Sequence, residues 1–251
     1  MFTHHHNPLR SARLGGTLIA LALTAGLAAC EDDSSNKGVS AAACDAVVAL
    51  GSAMSAAPQD PAEFASFAEQ QLVPIGRTLV KEMTGDGKKA AETLSAAYDN
   101  VAESGDPTPL FESPDVTAAN GTIGSIVHKG CDLQAVKVGA IEYAFTDIPS
   151  ELDAGRVSFA LENEGVEEHE MVLFKRNEGV TQPLEELLEL PEEELMSKVT
   201  FTGVAFGGPG TTNYVAMDLE PGTYFLLCFI PQGEDGPPHF MGGMSRTVTV
   251  F

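Results

Sequence analysis

Basic residues are scarce. Lys and Arg number 14 against 36 Asp and Glu, giving a formal net charge of -22 over 251 residues. Phosphate recognition needs clustered cations, so nucleic acid is excluded as a partner. Long low-complexity tracts are lacking and 43% of the residues are hydrophobic, which rules out a wholly disordered or collagen-like chain. No apolar run reaches the ~20 residues that span a bilayer. Also missing are a Ser-His-Asp arrangement, a phosphate-binding loop and paired acids in a catalytic motif, so no enzyme class is signalled. At ~150 residues per domain the length allows one or two domains. The acid excess keeps the chain soluble and favours basic partners.

The N-terminus carries an export pattern. Arg10 and Arg13 precede an apolar run from Leu14 to Leu27, which ends in Leu27-Ala28-Ala29-Cys30. Small residues directly before a cysteine resemble the lipobox of bacterial lipoproteins. By that resemblance residues 1–29 are a signal peptide, and Cys30 is the lipidated first residue of a mature chain anchored outside the cytoplasmic membrane. Residues 30–40 are polar and read as a flexible tether. His4, His5 and His6 precede the cleavage point and drop out as metal ligands.

Four cysteines are present, and lipidation of Cys30 leaves Cys44, Cys131 and Cys228. Export implies an oxidising compartment, where two thiols in reach of each other pair. Cys44 opens the helical region and Cys131 closes it, so a bridge between them would staple its ends together. Cys228 is then the odd thiol, to be protected by burial or by a metal.

From Ala41 to about Lys129 the pattern is helical. Asp60-Pro61-Ala62-Glu63 supplies a cap, a first-turn proline and a carboxylate. Phe64, Phe67, Ala68, Leu72, Ile75, Leu79 and Met83 then recur at spacings of three and four. Pro74 should kink or split that helix. A further helix is expected from Lys88 to about Glu103, and another from Ser113-Pro114. Residues 41–131 are therefore expected to form a small bundle of about four helices, with His128 a helix-end residue.

After Cys131 the period changes to two. Val157, Phe159 and Leu161 alternate with small or polar residues, as in a half-buried strand. Other short β-rich segments run from Val136 to Phe145, Met171 to Phe174, Thr200 to Val204, Tyr214 to Leu219, Gly222 to Ile230 and Arg246 to Phe251. Seven strands in about 120 residues predict a sandwich of two antiparallel sheets over residues 132–251. Gln182 to Lys198, with Pro191 in its middle, reads as a helical excursion outside it. The fold class expected is α+β and multidomain.

Four potential metal ligands fall in the strand-rich half: His169, Cys228, His239 and Met244. A thiolate and two imidazoles with a distant thioether suit a copper ion that exchanges single electrons, because soft sulfur stabilises Cu(I) and imidazole serves both oxidation states. Asn163-Glu-Gly165-Val-Glu-Glu-His169 and the run from Gly222 to Cys228, followed by His239-Phe-Met-Gly-Gly-Met244 and Thr247-Val-Thr-Val250, resemble the cupredoxin family of plastocyanin-like blue copper domains. The resemblance covers about Val136 to Phe251. It implies a Greek-key sandwich and a single type 1 copper site. His169 matches the first imidazole, Cys228 the thiolate, His239 the second imidazole and Met244 the axial thioether.

Two departures from that pattern stand out. Ten residues, Phe229 to Pro238, separate Cys228 from His239, where plastocyanins have a couple. Glu170 occupies the place where many relatives carry an Asn that ties the two ligand loops together. Met241 competes with Met244 for the axial position. The resemblance implies a lipid-anchored, non-enzymatic electron carrier that meets a cytochrome or oxidase through a basic docking patch. Copper capture and delivery, or a metal-free interaction role, are the alternatives.

Overall fold

The computed structural model describes residues 39–58, 60–233 and 236–251. The export pattern, Cys30 and most of the tether lie outside the described residues. Residues 38–251 form one compact unit, and no described helix is long and apolar enough to cross a membrane.

Among the described residues six α-helices precede the strands, where about four were expected: α1 (Ala41–Ser55), α2 (Pro61–Phe67), α3 (Val73–Glu82), α4 (Gly85–Ser104), α5 (Thr108–Glu112) and α6 (Pro114–Gly130). Side-chain caps set two starts. The Ser40 hydroxyl accepts from Ala43 N at 3.2 Å and the Ser113 hydroxyl from Val116 N at 3.4 Å, each satisfying an amide with no partner inside its helix. Pro74 does split its helix, and the break takes the form of a wide π turn over Ala68–Leu72. A π turn shifts the hydrogen-bond frame by one residue, which accommodates the missing proline N–H without interrupting the apolar face. Helix α4 begins at Gly85 rather than Lys88, because Thr84 is extended and Gly85 takes a left-handed φ of 56°. Phe64, Leu72, Leu79, Leu94, Val101, Ile123 and Val127 fill the helical core.

The strands are β1 (Gln134–Ile141), β2 (Ala144–Thr146), β3 (Glu151–Leu152), β4 (Gly155–Asn163), β5 (His169–Arg176), β6 (Val199–Gly207), β7 (Thr212–Leu219), β8 (Gly222–Leu227) and β9 (Ser245–Val250). They make two sheets, in the orders β2-β1-β4-β7 and β3-β9-β8-β5-β6. The expectation of purely antiparallel sheets is corrected here. Strands β1 and β4 pair in parallel, as do β3 and β9, since the chain leaving β1 crosses to the second sheet at β3 before returning to β4. Val138, Phe145, Val157, Phe159, Leu161, Met171, Leu173, Leu226 and Val248 fill the space between the sheets.

Both outer faces are covered as well. Helices α1 and α6 lie on the first sheet, where β7 contributes Ala216 to the helical core, so β4 buries Ser158 and Ala160 too. The excursion folds as α7 (Leu184–Leu188) and α8 (Glu192–Lys198). With α7 supplying Leu184 and Leu187, it covers Val172, Phe174, Phe225 and Leu227 of the second sheet. Strand β5 therefore has no solvent face, which is why Met171 to Phe174 reads as an unbroken apolar run.

Candidate metal centre

One end of the second sheet gathers the predicted ligands. His169 is the first residue of β5, Cys228 directly follows β8, and Met244 directly precedes β9. Strand β8 pairs with both neighbours, Leu227 opposite Val172 and opposite Ser245, so all three ligand-bearing ends lie side by side. The Cys228 amide donates to the Met244 carbonyl at 3.3 Å.

The ten residues between Cys228 and His239 do not displace His239. Pro231 and Pro238 form an antiparallel bridge, and Gln232 N donates to Pro237 O at 3.0 Å. Past that closure His239 N reaches Ile230 O at 2.8 Å and Phe240 N reaches Cys228 O at 2.9 Å. The insertion is a side loop closed at its base, and His239 sits beside Cys228 as it would after a short connection. A 3-10 turn over His239–Gly242 follows, ended by Gly243 at φ 112°. Gly242 is a close-approach position, since a Cβ there would lie 3.0 Å from the Tyr143 ring carbon and 2.9 Å from Gln232 Nε2, so both neighbours would have to shift.

The Asn-x-Gly element closes the other side. Buried Asn163 donates its amide to Glu167 O at 2.8 Å and to Gly207 O at 2.7 Å, and its Oδ1 accepts from Gly165 N at 2.9 Å. One side chain thus fixes the loop that delivers His169.

The donor atoms converge. His169 Nδ1 lies 3.2 Å from His239 Nδ1, and Cys228 Sγ lies 3.4 Å from His239 Nδ1. The donor atoms of all three residues fall within 4.8 Å of one another, and all three residues are buried. Metal bonds of about 2.0 Å to nitrogen and about 2.3 Å to sulfur place trigonal donors roughly 3.5 to 3.7 Å apart, so these separations fit one ion with adjustments of a few tenths of an ångström. Burial, with the neighbouring His239, holds the His169 pKa below its usual value, leaving a neutral imidazole ready to ligate. Burial pushes the Cys228 thiol up, against the lowering effect of the Glu170 and Ile230 amides. A cation beside the sulfur offsets that burial penalty by stabilising the thiolate.

Met244 is buried in the inter-sheet core together with Cys228. Met241 is 68% exposed. Cys44 and Cys131 form a disulfide, and Cys228 is a free, buried cysteine. His128 ends α6 and its Nδ1 lies 3.1 Å from the Ser158 hydroxyl.

Three residues of this centre carry no sequence signal of their own: Glu142 and Tyr143, in the turn joining β1 and β2, and Glu167. Tyr143 adopts a left-handed φ of 61° and packs edge-on against His239 with ring centroids 4.9 Å apart. Glu142 Oε1 accepts from Val166 N at 2.6 Å and Glu167 N at 3.1 Å, and lies 3.6 Å from His169 Nε2. Those two amides draw the Glu142 carboxyl below its ordinary pKa. Glu167 Oε2 lies 2.9 Å from His239 Nε2 but is not aligned with it for a hydrogen bond. Gly165 is a close-approach position, where a Cβ would meet Glu142 Oε1 and lie 2.8 Å from His169 Nε2. Glu170, which occupies the place of the loop-tying Asn of the cupredoxin pattern, joins the His169 strand to the loop after Cys228. Its Oε1 accepts from Phe229 N at 3.0 Å.

No family model matches the chain, and no curated protein does. Among solved structures, the chain is similar to dithionite-reduced auracyanin from the photosynthetic bacterium Roseiflexus castenholzii, at 22% identity over 46% of this chain and 95% of that one, with a TM-score of 0.32. It is also similar to auracyanin A, a blue copper protein from the green thermophilic bacterium Chloroflexus aurantiacus, at 21% identity over 46% and 97%, with a TM-score of 0.32. A multicopper oxidase from Aquifex aeolicus matches at 15% identity over 48% of this chain and 30% of that one, with a TM-score of 0.28.

Proposed function

We propose that this chain is a mononuclear copper protein that carries single electrons between larger redox partners outside the cytoplasmic membrane, tethered by lipid on Cys30. In this reading residues 41–131 are a helical domain, residues 132–251 a Greek-key cupredoxin-like sandwich, and the protein is not an enzyme. The observation that carries it is the convergence of two imidazole nitrogens and one thiol sulfur, 3.2 to 3.4 Å apart along the measured edges, in a buried pocket at the end of two paired strands.

Bound copper would supply a centre that gains and loses one electron. The chain supplies the rest. His169 and His239 present Nδ1 inward with their outer nitrogens turned toward carboxylates. Met244 offers a thioether from the core side. Ligand loops tied by Asn163 and Glu170 resist rearrangement when the charge changes, and that keeps electron exchange fast. His169, Cys228 and His239 are fully buried, which keeps bulk water from the donor atoms. The net charge of -22 favours brief, salt-sensitive encounters with a basic patch on a cytochrome or oxidase.

The test is addition of copper to the purified chain. One equivalent should give an intense visible band from thiolate charge transfer, absent in Cys228→Ser, and the loaded protein should self-exchange electrons rapidly. A colourless product, or a band that survives loss of the thiol, overturns the copper assignment. A coloured but slowly exchanging protein that yields Cu(I) to chelators is a copper-delivery protein instead. Cys30→Ser should abolish partition of the chain into membranes.

A further inference from the structure

We propose that Glu142 and Glu167 are paired positioning residues, each set against the outer nitrogen of one imidazole, that bias the centre toward divalent over monovalent copper. The proposal rests on the copper reading above and deepens it.

The two carboxylates come from different loops and address different histidines. Glu142, in the turn between β1 and β2, faces His169 Nε2 at 3.6 Å. Glu167, in the loop before β5, faces His239 Nε2 at 2.9 Å. Both imidazole Nε2 atoms are buried without a hydrogen-bond partner, and so is Glu167 Oε2. No lysine or arginine pairs with either carboxylate among the described residues; the cation pairs of the fold go to Asp99, Glu82, Asp86, Glu162, Asp45, Glu220 and Glu194. Their charge is therefore left to act on the histidines and on whatever the histidines hold. Backbone amides of residues 166 and 167 lock Glu142 in place, and Gly165 leaves the room for it.

An anion beside the far nitrogen of a ligating imidazole fixes ring orientation and makes the near nitrogen a stronger donor. Divalent copper gains more from this than monovalent copper, because it carries the extra charge. Both carboxylates are about one-third exposed, at 37% and 33% for the side chains, so water screens part of the effect. We expect about a tenfold loss of preference for Cu(II) over Cu(I) per carboxylate removed, equivalent to about 59 mV in a one-electron potential.

Glu142→Gln and Glu167→Gln in the full-length chain keep shape and accepting oxygen while removing charge. Chelator competition gives the Cu(II) and Cu(I) affinities separately. The expected result is a roughly tenfold fall for Cu(II) with Cu(I) changed by less than about threefold, a matching rise in potential, and near-addition in the double variant. Glu167→Asp keeps the charge and should stay closer to the parent. Equal losses for both ions, or no change in either, overturn the proposal while leaving the copper reading intact. A parent chain that binds neither ion overturns both. Should Glu142→Gln fail to fold, Glu167→Gln and Glu167→Asp decide alone, since Glu167 Oε2 makes no hydrogen bond and both variants keep an oxygen for the Tyr143 hydroxyl.

Discussion

The backbone amide of Glu170 donates to the Cys228 sulfur at 3.4 Å, and the Glu170 carboxylate accepts from the residue after that cysteine, Phe229, at 3.0 Å. One residue therefore clamps the thiol-bearing turn from both its backbone and its side chain. Burial holds the Glu170 carboxyl above its ordinary pKa, so the clamp costs some desolvation. Glu170→Gln keeps an accepting oxygen and should leave stability within about 0.5 kcal/mol, while Glu170→Ala should cost about 1 kcal/mol, the net worth of one hydrogen bond. Urea denaturation of the metal-free protein measures both. Equal losses in the two variants would show that the carboxylate's charge, rather than its accepting oxygen, holds the turn.

The Cys44–Cys131 bridge joins positions 87 residues apart at the two ends of the helical region. Cross-linking a loop of that length removes about 4 to 5 kcal/mol of unfolded-state entropy in the chain-entropy model. The double substitution of Cys44 and Cys131 by Ala should lower stability by about 2 to 4 kcal/mol, the range usually measured. It should leave the Cys228 environment unchanged, because the bridge lies in the helical layer. Thermal melts read the first effect and copper-dependent absorption the second.

Local chemistry made most of this fold legible. The inward set Val157, Phe159 and Leu161, the proline at position 74 and the helix start at Ser113-Pro114 each act within a few residues and stand as read, but β4 is not half-buried, since Ser158 and Ala160 are covered as well. The three donor residues were legible because copper-ligand chemistry restricts their types, and each stood out at a strand end or in the loop between the last two strands. What escaped reading is non-local. Ser158 is buried because helix α6, whose His128 lies thirty positions earlier, covers it. The parallel pairing of β1 with β4 depends on a crossover that leaves no local pattern. Glu142 and Glu167 look like any other acids in a chain with 36 of them. Only the turn at Tyr143 and the loop after Asn163 bring them to the imidazoles.

Two glycines set how closely the helical layer lies on the first sheet. A Cβ on Gly51 of α1 would overlap the Ala216 carbonyl of β7, and one on Gly124 of α6 would overlap the Tyr214 side chain of the same strand. Gly51→Ala and Gly124→Ala should each destabilise by about 1 to 3 kcal/mol through overpacking, despite the better helix propensity of alanine. Gly51→Ala should be the more costly, since a backbone carbonyl yields less than a side chain. Gly121→Ala, where a Cβ meets nothing within 4 Å, is the control and should be neutral or slightly stabilising. Denaturation midpoints in urea order the three.

His128 supplies the pH dependence of the same contact. Its Nδ1 lies 3.1 Å from the buried Ser158 hydroxyl, and its ring lies 5.4 Å from that of Tyr214. Burial, with a smaller push from Lys129, holds its pKa below the usual histidine value of 6.5. A histidine with a lowered folded pKa favours the folded state fully above the unfolded value and loses that advantage as pH falls from there through the folded pKa. Helix α6 should therefore hold to the sheet less firmly as the solution is acidified below about 6.5. The metal-free protein contains a second depressed histidine, His169, so the comparison must be with His128→Gln, which retains a polar side chain and no longer titrates. Stability of the parent should fall more steeply than that of His128→Gln between neutral pH and about pH 5. Parallel curves would show that His128 charges without disturbing the contact. Amide exchange in residues 114–130 then locates the loss: it should rise in the parent on acidification and stay flat in the variant.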